Sequence, residues 1–294
     1  MRIHIGLDIG GTKLLVCSAT EDGRILRRIT RATPLPVEDG LDALHEMVDE
    51  VVDGNQIAAF GAAAGGPLDW DTGIVSPLHQ PEWHDVPLKE IFEIRYNAPL
   101  AVDVDTNAAV LAEYEFGGSR VPRLVYLTLS TGMGGGFLVD GELYRGGGGS
   151  HPEMGHHAVS YRCSHPERIE CECGADRCLE ALVSGNGIRR VYGKPAQDLN
   201  DEEWTEVSYN LGQGLRNFAA LYSPDLIVLG GGVAVGGGER LLSSAISIMR
   251  ANCKLVPAPE VRLSTLGYDT ALYGALALAK RAAARPIQGR MRSS

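Results

Sequence analysis

The segment "RIHIGLDIGGTKLLVCSAT" near the start of the chain is an apolar run, a turn with two adjacent glycines, and a second apolar run. The same layout returns in "RLVYLTLSTGMGGGFLVDGELY", which begins at Arg123. β-type runs joined by glycines predict a hairpin whose backbone approaches a ligand closely, because glycine has no side chain to hold the ligand off. Helical segments follow in both halves. In the first, "RILRRIT" reads as a third strand, and "VEDGLDALHEMVDEVV" as a helix with Leu41, Leu44, Met47, Val48 and Val51 on one face. "QIAAFGAAAG" and "LAVDVDT" read as buried strands, and "TNAAVLAEYEF" as a helix stopped by Gly117 and Gly118. In the second, "EEWTEVSYNLGQGLRNFAALY", "GERLLSSAISIMRAN" and "TALYGALALAKRAAA" read as helices, and "DLIVLGGG" as a strand. The tail "RPIQGRMRSS" is expected to fray. A strand–turn–strand unit seen twice predicts a duplicated α/β architecture, with a boundary near Gly117–Arg123 and a ligand cleft between the halves.

The bulk numbers agree with this. A chain of 294 residues with 44% hydrophobic and 22% charged residues has the size for two domains, or one large one, and for a substantial core. Its net charge of −10 argues against a nucleic-acid surface, which needs clustered Lys and Arg. Nucleotide binding stays open, since backbone N–H groups hold phosphate inside an acidic protein. No run of about eighteen apolar residues predicts a membrane span, and Asp8 interrupts what would be a signal core. Three of the six cysteines fall within "CECGADRC". In a chain expected to be cytoplasmic, that clustering reads as metal or redox chemistry instead of a disulfide framework.

Neither glycine turn has Walker A spacing, and strand–turn–strand is the wrong context for a dinucleotide fingerprint. Each is a plain hairpin turn or an anion nest. As nests, Gly10, Gly11, Thr12 and Lys13 in the first, and Thr131, Gly132 and Gly134 in the second, would grip phosphates. Asp8 would hold Mg²⁺ directly or through water. Gly230, Gly231 and Gly232 end a buried strand and suit close approach to a nucleotide base or ribose. In "DVDTNAAVLAE", Asp105 lies between strand and helix, where it is either a helix N-cap or a carboxylate facing an attacking hydroxyl. Cys171, Cys173 and Cys178 supply three thiolates for zinc, with redox or inert roles as alternatives.

Taken in order, "DIGGTK", "STGMGGG", "HPEMGHH", "CECGADRCLE" and "IVLGGG" resemble the ROK family of sugar kinases, repressors and open reading frames. The glycine motifs are weak singly; the paired histidine and cysteine motifs are specific. The resemblance covers nearly the whole chain. It implies the actin-like, hexokinase-like (ribonuclease H-like) duplicated two-domain α/β fold with an interdomain cleft, ATP and Mg²⁺ as cofactors, and a structural Zn²⁺. It assigns residues 1–117 to a smaller domain, completed by a C-terminal helix at about 280–290, and residues 118–279 to a larger one with the zinc-binding insert. By the same resemblance "VDTNAA" matches the family's "NDANAA", which makes Asp105 the catalytic base. Glu153, His156 and Glu180 become the sugar-binding set, His156 the fourth zinc ligand, and Gly65 and Asp69 part of a loop lining the sugar. His157 receives no role.

Two positions depart from the family pattern. Val104 stands where an Asn contacts ring hydroxyls, and His79 in "LHQPEWHDVPL" stands where another Asn is expected. The insert "SYRCSHPERIE" adds Cys163 and His165 as possible competing zinc ligands. Together these predict a hexose kinase acting on the 6-hydroxyl of glucose or a glucose-like sugar. The alternatives are a modified hexose such as kanosamine (3-amino-3-deoxyglucose), fructose, or, more weakly, N-acetylmannosamine. A non-catalytic sugar sensor is the rival of another class. It is disfavoured because the chain opens directly on the glycine turn without a DNA-binding arm. A homodimer is expected.

Overall fold

The computed structural model describes residues 1–78 and 80–284. The predicted site residue His79 and the tail from residue 285 lie outside them. The chain divides into two compact units, Met1–Ala112 with the return segment from Asp269, and Glu113–Tyr268.

The first unit contains β1 (Arg2–Ile9), β2 (Lys13–Ala19), β3 (Ile25–Ala32), α1 (Val37–Val52), β4 (Gln56–Ala64), β5 (Leu68–Asp69), β6 (Ile74–Val75), β7 (Val86–Pro87), α2 (Leu88–Tyr96), β8 (Leu100–Val104) and the start of α3 (Asp105–Glu115). Its main sheet runs β3-β2-β1-β4-β8, and β5, β6 and β7 form a small separate sheet. The β1–β2–β3 meander is antiparallel, while β4 is parallel to both β1 and β8. On α1, Leu44, Met47, Val48 and Val51 are fully buried and Leu41 is half-buried, as the spacing predicts. Each such burial contributes roughly 1.5–3 kcal/mol.

The second unit contains β9 (Arg123–Leu129), β10 (Met133–Val139), β11 (Glu142–Leu143), α4 (Glu180–Val183), α5 (Gly185–Tyr192), α6 (Asp201–Tyr222), β12 (Leu226–Gly230), α7 (Gly232–Asn252) and β13 (Glu260–Leu263). Its sheet runs β11-β10-β9-β12-β13, with β9–β10 antiparallel and β12 parallel to β9 and β13. This is the order of the first sheet again: meander, then parallel strands. The predicted duplication is therefore present strand for strand. A capping box between Asn200 and Glu203 starts α6, whose apolar face buries Trp204, Leu211, Leu215 and Phe218.

The chain then returns to the first unit with α8 (Thr270–Ala284). Close backbone approach places it there. A Cβ on Gly61 of β4 would lie 1.9 Å from the Ala275 carbonyl oxygen, and one on Gly274 would lie 2.6 Å from the Ala108 backbone. Consequently the contacts divide the chain inside α3 and just before α8, whereas the sequence reading sets its limits at residues 117 and 280. The start of α7 also differs. The sequence places the helix from Gly238, but it begins at Gly232, and Gly238 is a non-helical kink with φ 51°. Burial of Val233, Ala234 and Gly237 outweighs the poor helix propensity of the glycines.

Candidate active site and metal centre

In the first unit, strand register gathers the chemistry. Asp8 of β1 pairs with Ala63 of β4, which pairs with Asp103 of β8. The C-terminal ends of these three parallel strands thus carry Asp8, Gly65 and Val104–Asp105 at one edge, the edge where open α/β sheets bind ligands. The turn after β1 is closed by Gly10 N–H donating to the Lys13 carbonyl at 3.0 Å. It is tied to the end of β3 by the Thr33 hydroxyl, which donates to the Gly10 carbonyl at 2.6 Å. Gly11, Thr12 and Lys13 are exposed. Burial pushes the Asp8 carboxyl up to about 6, and the charge of Asp105 adds to the rise. A buried carboxyl whose proton affinity is raised further by a neighbouring carboxylate suits a hard divalent cation.

Asp105 is exposed at the first position of α3, with its Oδ1 accepting from Thr106 N–H at 2.7 Å. Beneath it, fully buried Asp103 accepts from Val104 N–H and from Asn107 Nδ2, both at 2.9 Å. This brace went unread in the sequence; its signal is the D-x-D-x-N spacing. Val104 is buried, and its Cγ1 lies 3.6 Å from where a Gly66 Cβ would be. Asp69 caps its own turn, accepting from Asp71 and Thr72 N–H, and bonds from the Thr72 hydroxyl and these amides hold its carboxyl below the usual range.

In the second unit, the turn between β9 and β10 is held from outside. Gly185 N–H donates to the Ser130 carbonyl at 2.7 Å, Asn186 N–H to the Thr131 carbonyl at 2.9 Å, and Met133 N–H to Glu180 Oε2 at 2.8 Å. Gly134 is not part of the turn: it pairs with Thr128 inside the ladder. Thr131, Gly185 and Gly232 line one cavity of about 430 Å³, so the second nest and the third glycine cluster come together. Gly231 has φ 88°, and a Cβ there would fall 2.3 Å from the Leu129 carbonyl oxygen, so only glycine fits.

The metal ligands converge as well. His156, Cys171, Cys173 and Cys178 each offer an atom, all within 4.8 Å of one another. His156 Nδ1 lies 3.3 Å from Cys171 Sγ, Cys171 lies 3.4 Å from Cys173, and Cys173 lies 3.5 Å from Cys178. Tetrahedral zinc–thiolate bonds put ligands about 3.8 Å apart, so the set fits zinc. The Ala175 N–H and the neighbouring thiols draw Cys173 down to about 7, while burial pushes Cys178 up to about 12. The clip is stitched to the histidine loop by an Ala158–Cys178 bridge, by Leu179 N–H to the His157 carbonyl, and by Glu180 N–H to the Gly155 carbonyl.

Cys163 and His165 stay outside the ligand cluster. Their insert is fastened to α6 instead: Asn210 bonds both backbone groups of Arg162, and Glu206 accepts from Ser164. On the other side of the His156 ring, Nε2 is 4.0 Å from both Glu153 and Glu180, so the three residues that the resemblance groups do converge. His157 acquires a place too. Its Nδ1 bonds the Met154 carbonyl at 2.8 Å and its ring packs edge-on to Phe218, bracing the loop that carries Glu153 and His156. Burial lowers its pKa, which keeps it neutral.

This is a two-unit α/β protein with a glycine hairpin in each unit and a Cys₃His cluster beside two glutamates. Over residues 4–282 the sequence matches the ROK family, and the chain belongs to it. It is 30% identical to the glucokinase of Streptomyces coelicolor, across 95% of this chain and 98% of that protein. It is 32% identical to the fructokinase of Zymomonas mobilis, across 79% and 80%. The ROK glucokinase of Streptomyces griseus, solved with glucose and AMPPNP, superposes with a TM-score of 0.76 at 30% identity, covering 95% of this chain and 99% of that one. Among the described residues, no helix is long and apolar enough to cross a membrane.

Proposed function

We propose that this ROK-family sugar kinase transfers the γ-phosphoryl group of ATP to the 6-hydroxyl of glucose or a glucose-like hexose. The observation that carries the reading is the strand register, which sets Asp8 and Asp105 on one edge beside the first glycine turn. Asp105 accepts the proton of the attacking hydroxyl, and the Asp103–Asn107 brace fixes its backbone. The N–H groups of Gly10–Thr12 and of Thr131–Gly132, with Lys13, hold donor phosphates and stabilise charge that develops during transfer. Asp8 is the carboxylate that would hold Mg²⁺, which supplies neutralisation of phosphate charge when bound. Cys171, Cys173, Cys178 and His156 would hold a structural Zn²⁺, which supplies rigidity. With Nδ1 committed to the zinc side, His156 presents Nε2 to the acceptor, and Glu153 and Glu180 accept hydrogen bonds from sugar hydroxyls.

The glucokinase and fructokinase relatives support a hexose acceptor, and the neighbour solved with glucose and AMPPNP supports a sugar and an adenine nucleotide. Buried Val104 offers no side-chain hydrogen bond, so discrimination at one ring position should differ from that of a site with an amide there, and 3-amino-3-deoxyglucose is the alternative to glucose that the assay includes. The reading also includes a cytoplasmic homodimer, for which light scattering is the check. ADP release is measured with glucose, 3-amino-3-deoxyglucose, fructose and N-acetylmannosamine. At least one should stimulate turnover, and Asp105→Asn should lower that turnover by about 10²–10⁴. Sugar binding without turnover would support the sensor instead.

A further inference from the structure

The cavity of about 430 Å³ in the second unit reaches beyond the phosphate turn. Besides Ser130 and Thr131 it is lined by side chains of α5, of the segment before α6, and of the start of α7. Two of its residues are conspicuous. Arg189 is exposed on α5, and its guanidinium has no hydrogen-bond or ion-pair partner among the described residues. The next residue, Arg190, is engaged: it donates to the Glu170 carbonyl at 2.6 Å and lies near the carboxylates of Glu170 and Glu172. Tyr268, the last residue of the unit, is 90% exposed and lines the same cavity. On α7, Cβ atoms added to Gly232 or Gly236 would meet nothing within 4 Å, so bare backbone faces open space one turn apart.

A guanidinium and a phenol are both planar, and both stack on heterocycles. We propose that Arg189 and Tyr268 hold the purine of the donor nucleotide by its faces, and that the enzyme therefore accepts adenine and guanine nucleotides alike. This rests on the kinase reading above. Stacking is tolerant of base identity because every base has a π-face. The amides that could meet the base edge, Asn186 and Gln197, each carry a donor and an acceptor, and so complement either purine. No carboxylate stands among the lining residues to select guanine through its N–H donors.

The test is calorimetric binding of ADP, GDP, UDP and inorganic tripolyphosphate to the full-length, zinc-loaded protein. ADP and GDP should bind within about tenfold of each other, with UDP weaker. Arg189→Ala and Tyr268→Ala should each weaken ADP by about tenfold, the scale of one lost base stack, and leave tripolyphosphate unchanged. Arg189→Lys, which keeps the charge and loses the plane, should resemble the alanine variant, whereas Arg190→Ala should bind ADP normally. Both target side chains are exposed, so circular dichroism should match wild type. The proposal is overturned if both variants bind ADP normally, if Arg189→Ala weakens tripolyphosphate as much as ADP, or if GDP binds more than roughly a hundredfold weaker than ADP. Failure of wild type to bind any nucleotide would instead overturn the kinase reading.

Discussion

The two glycine hairpins occupy the same place in the two sheets, yet they are held in different ways. The first, after β1, is closed by its own Gly10–Lys13 bond and by Thr33 nearby, and it brings its chemistry with it in Asp8, Thr12 and Lys13. The second, after β9, has only Thr131 to offer and takes its shape from elsewhere: α5 clasps two of its carbonyls, and Glu180 accepts from Met133. Glu180 in turn lies two residues after the last cysteine of the clip, and its carboxylate is 4.0 Å from His156 Nε2. One duplicated element is therefore a self-contained turn, to which the proposed function gives the chemistry. The other is a backbone cradle whose geometry is joined to the loop proposed to bind the acceptor and to the Cys₃His cluster. Disturbing the first should affect chemistry, and disturbing the second should affect binding of both substrates.

The largest effect belongs to the first. Asp105→Asn keeps the shape of the carboxylate and removes its basicity, so kcat should fall by about 10²–10⁴ with sugar affinity nearly kept, as steady-state kinetics and sugar calorimetry would reveal. Unchanged kcat would remove Asp105 from the chemistry. In the second, Glu180→Ala removes a charge-assisted bond to the turn and the proposed acceptor for a sugar hydroxyl. Loss of such a bond costs about 1.5–3 kcal/mol, so KM for sugar and for ATP should both rise, each by roughly ten- to a hundredfold. A rise for sugar alone would separate the turn from the acceptor loop. Cys173 is the exposed member of the clip, so Cys173→Ser is the least disruptive way to open it. Elemental analysis should find one zinc per wild-type chain and a deficit in the variant, with a sugar KM raised by about tenfold through loss of the His156 anchor. Metal-free, folded, fully active wild type would defeat this reading.

The same contrast explains what could be read from sequence. The first hairpin, the amphipathic face of α1 and the cysteine clip are local patterns: their residues lie near one another in the chain, so spacing reveals the elements and narrows their chemistry, and the resemblance supplies the roles. The supports of the second hairpin are distant. Nothing in "LEALVSGNG" announces that Gly185 and Asn186 will bond to the turn at Ser130–Thr131, and nothing in "GHHAV" announces that His157 will pack on Phe218 of α6. Asp69 was legible both as a sugar ligand and as a turn residue, and its two backbone bonds supply the second role. The compact units begin and end at other residues than the sequence reading for a related reason: glycine-mediated contact of α8 with β4 and α3 is a fact of tertiary packing, with no periodic trace.

The smallest expected effect sharpens the first turn's claim to carry its own electrostatics. Asp8 titrates at about 6, chiefly because it is buried and secondly because Asp105 is charged nearby. A carboxyl whose pKa is higher folded than unfolded binds more protons in the folded state. Its contribution to stability is therefore fully present below the unfolded value of 3.8 and is lost as pH rises through about 6. The protein without metal or nucleotide should lose stability from this group across that interval, visible in urea titrations at stepped pH. Asp105→Asn removes the secondary cause and leaves the burial. The midpoint for Asp8, followed by carboxyl-carbon NMR, should therefore move down yet stay above 3.8. The interval of pH-dependent stability should narrow with it. A midpoint unmoved by Asp105→Asn would mean that the two carboxylates do not sense each other, and that the edge they share is not a common cation site.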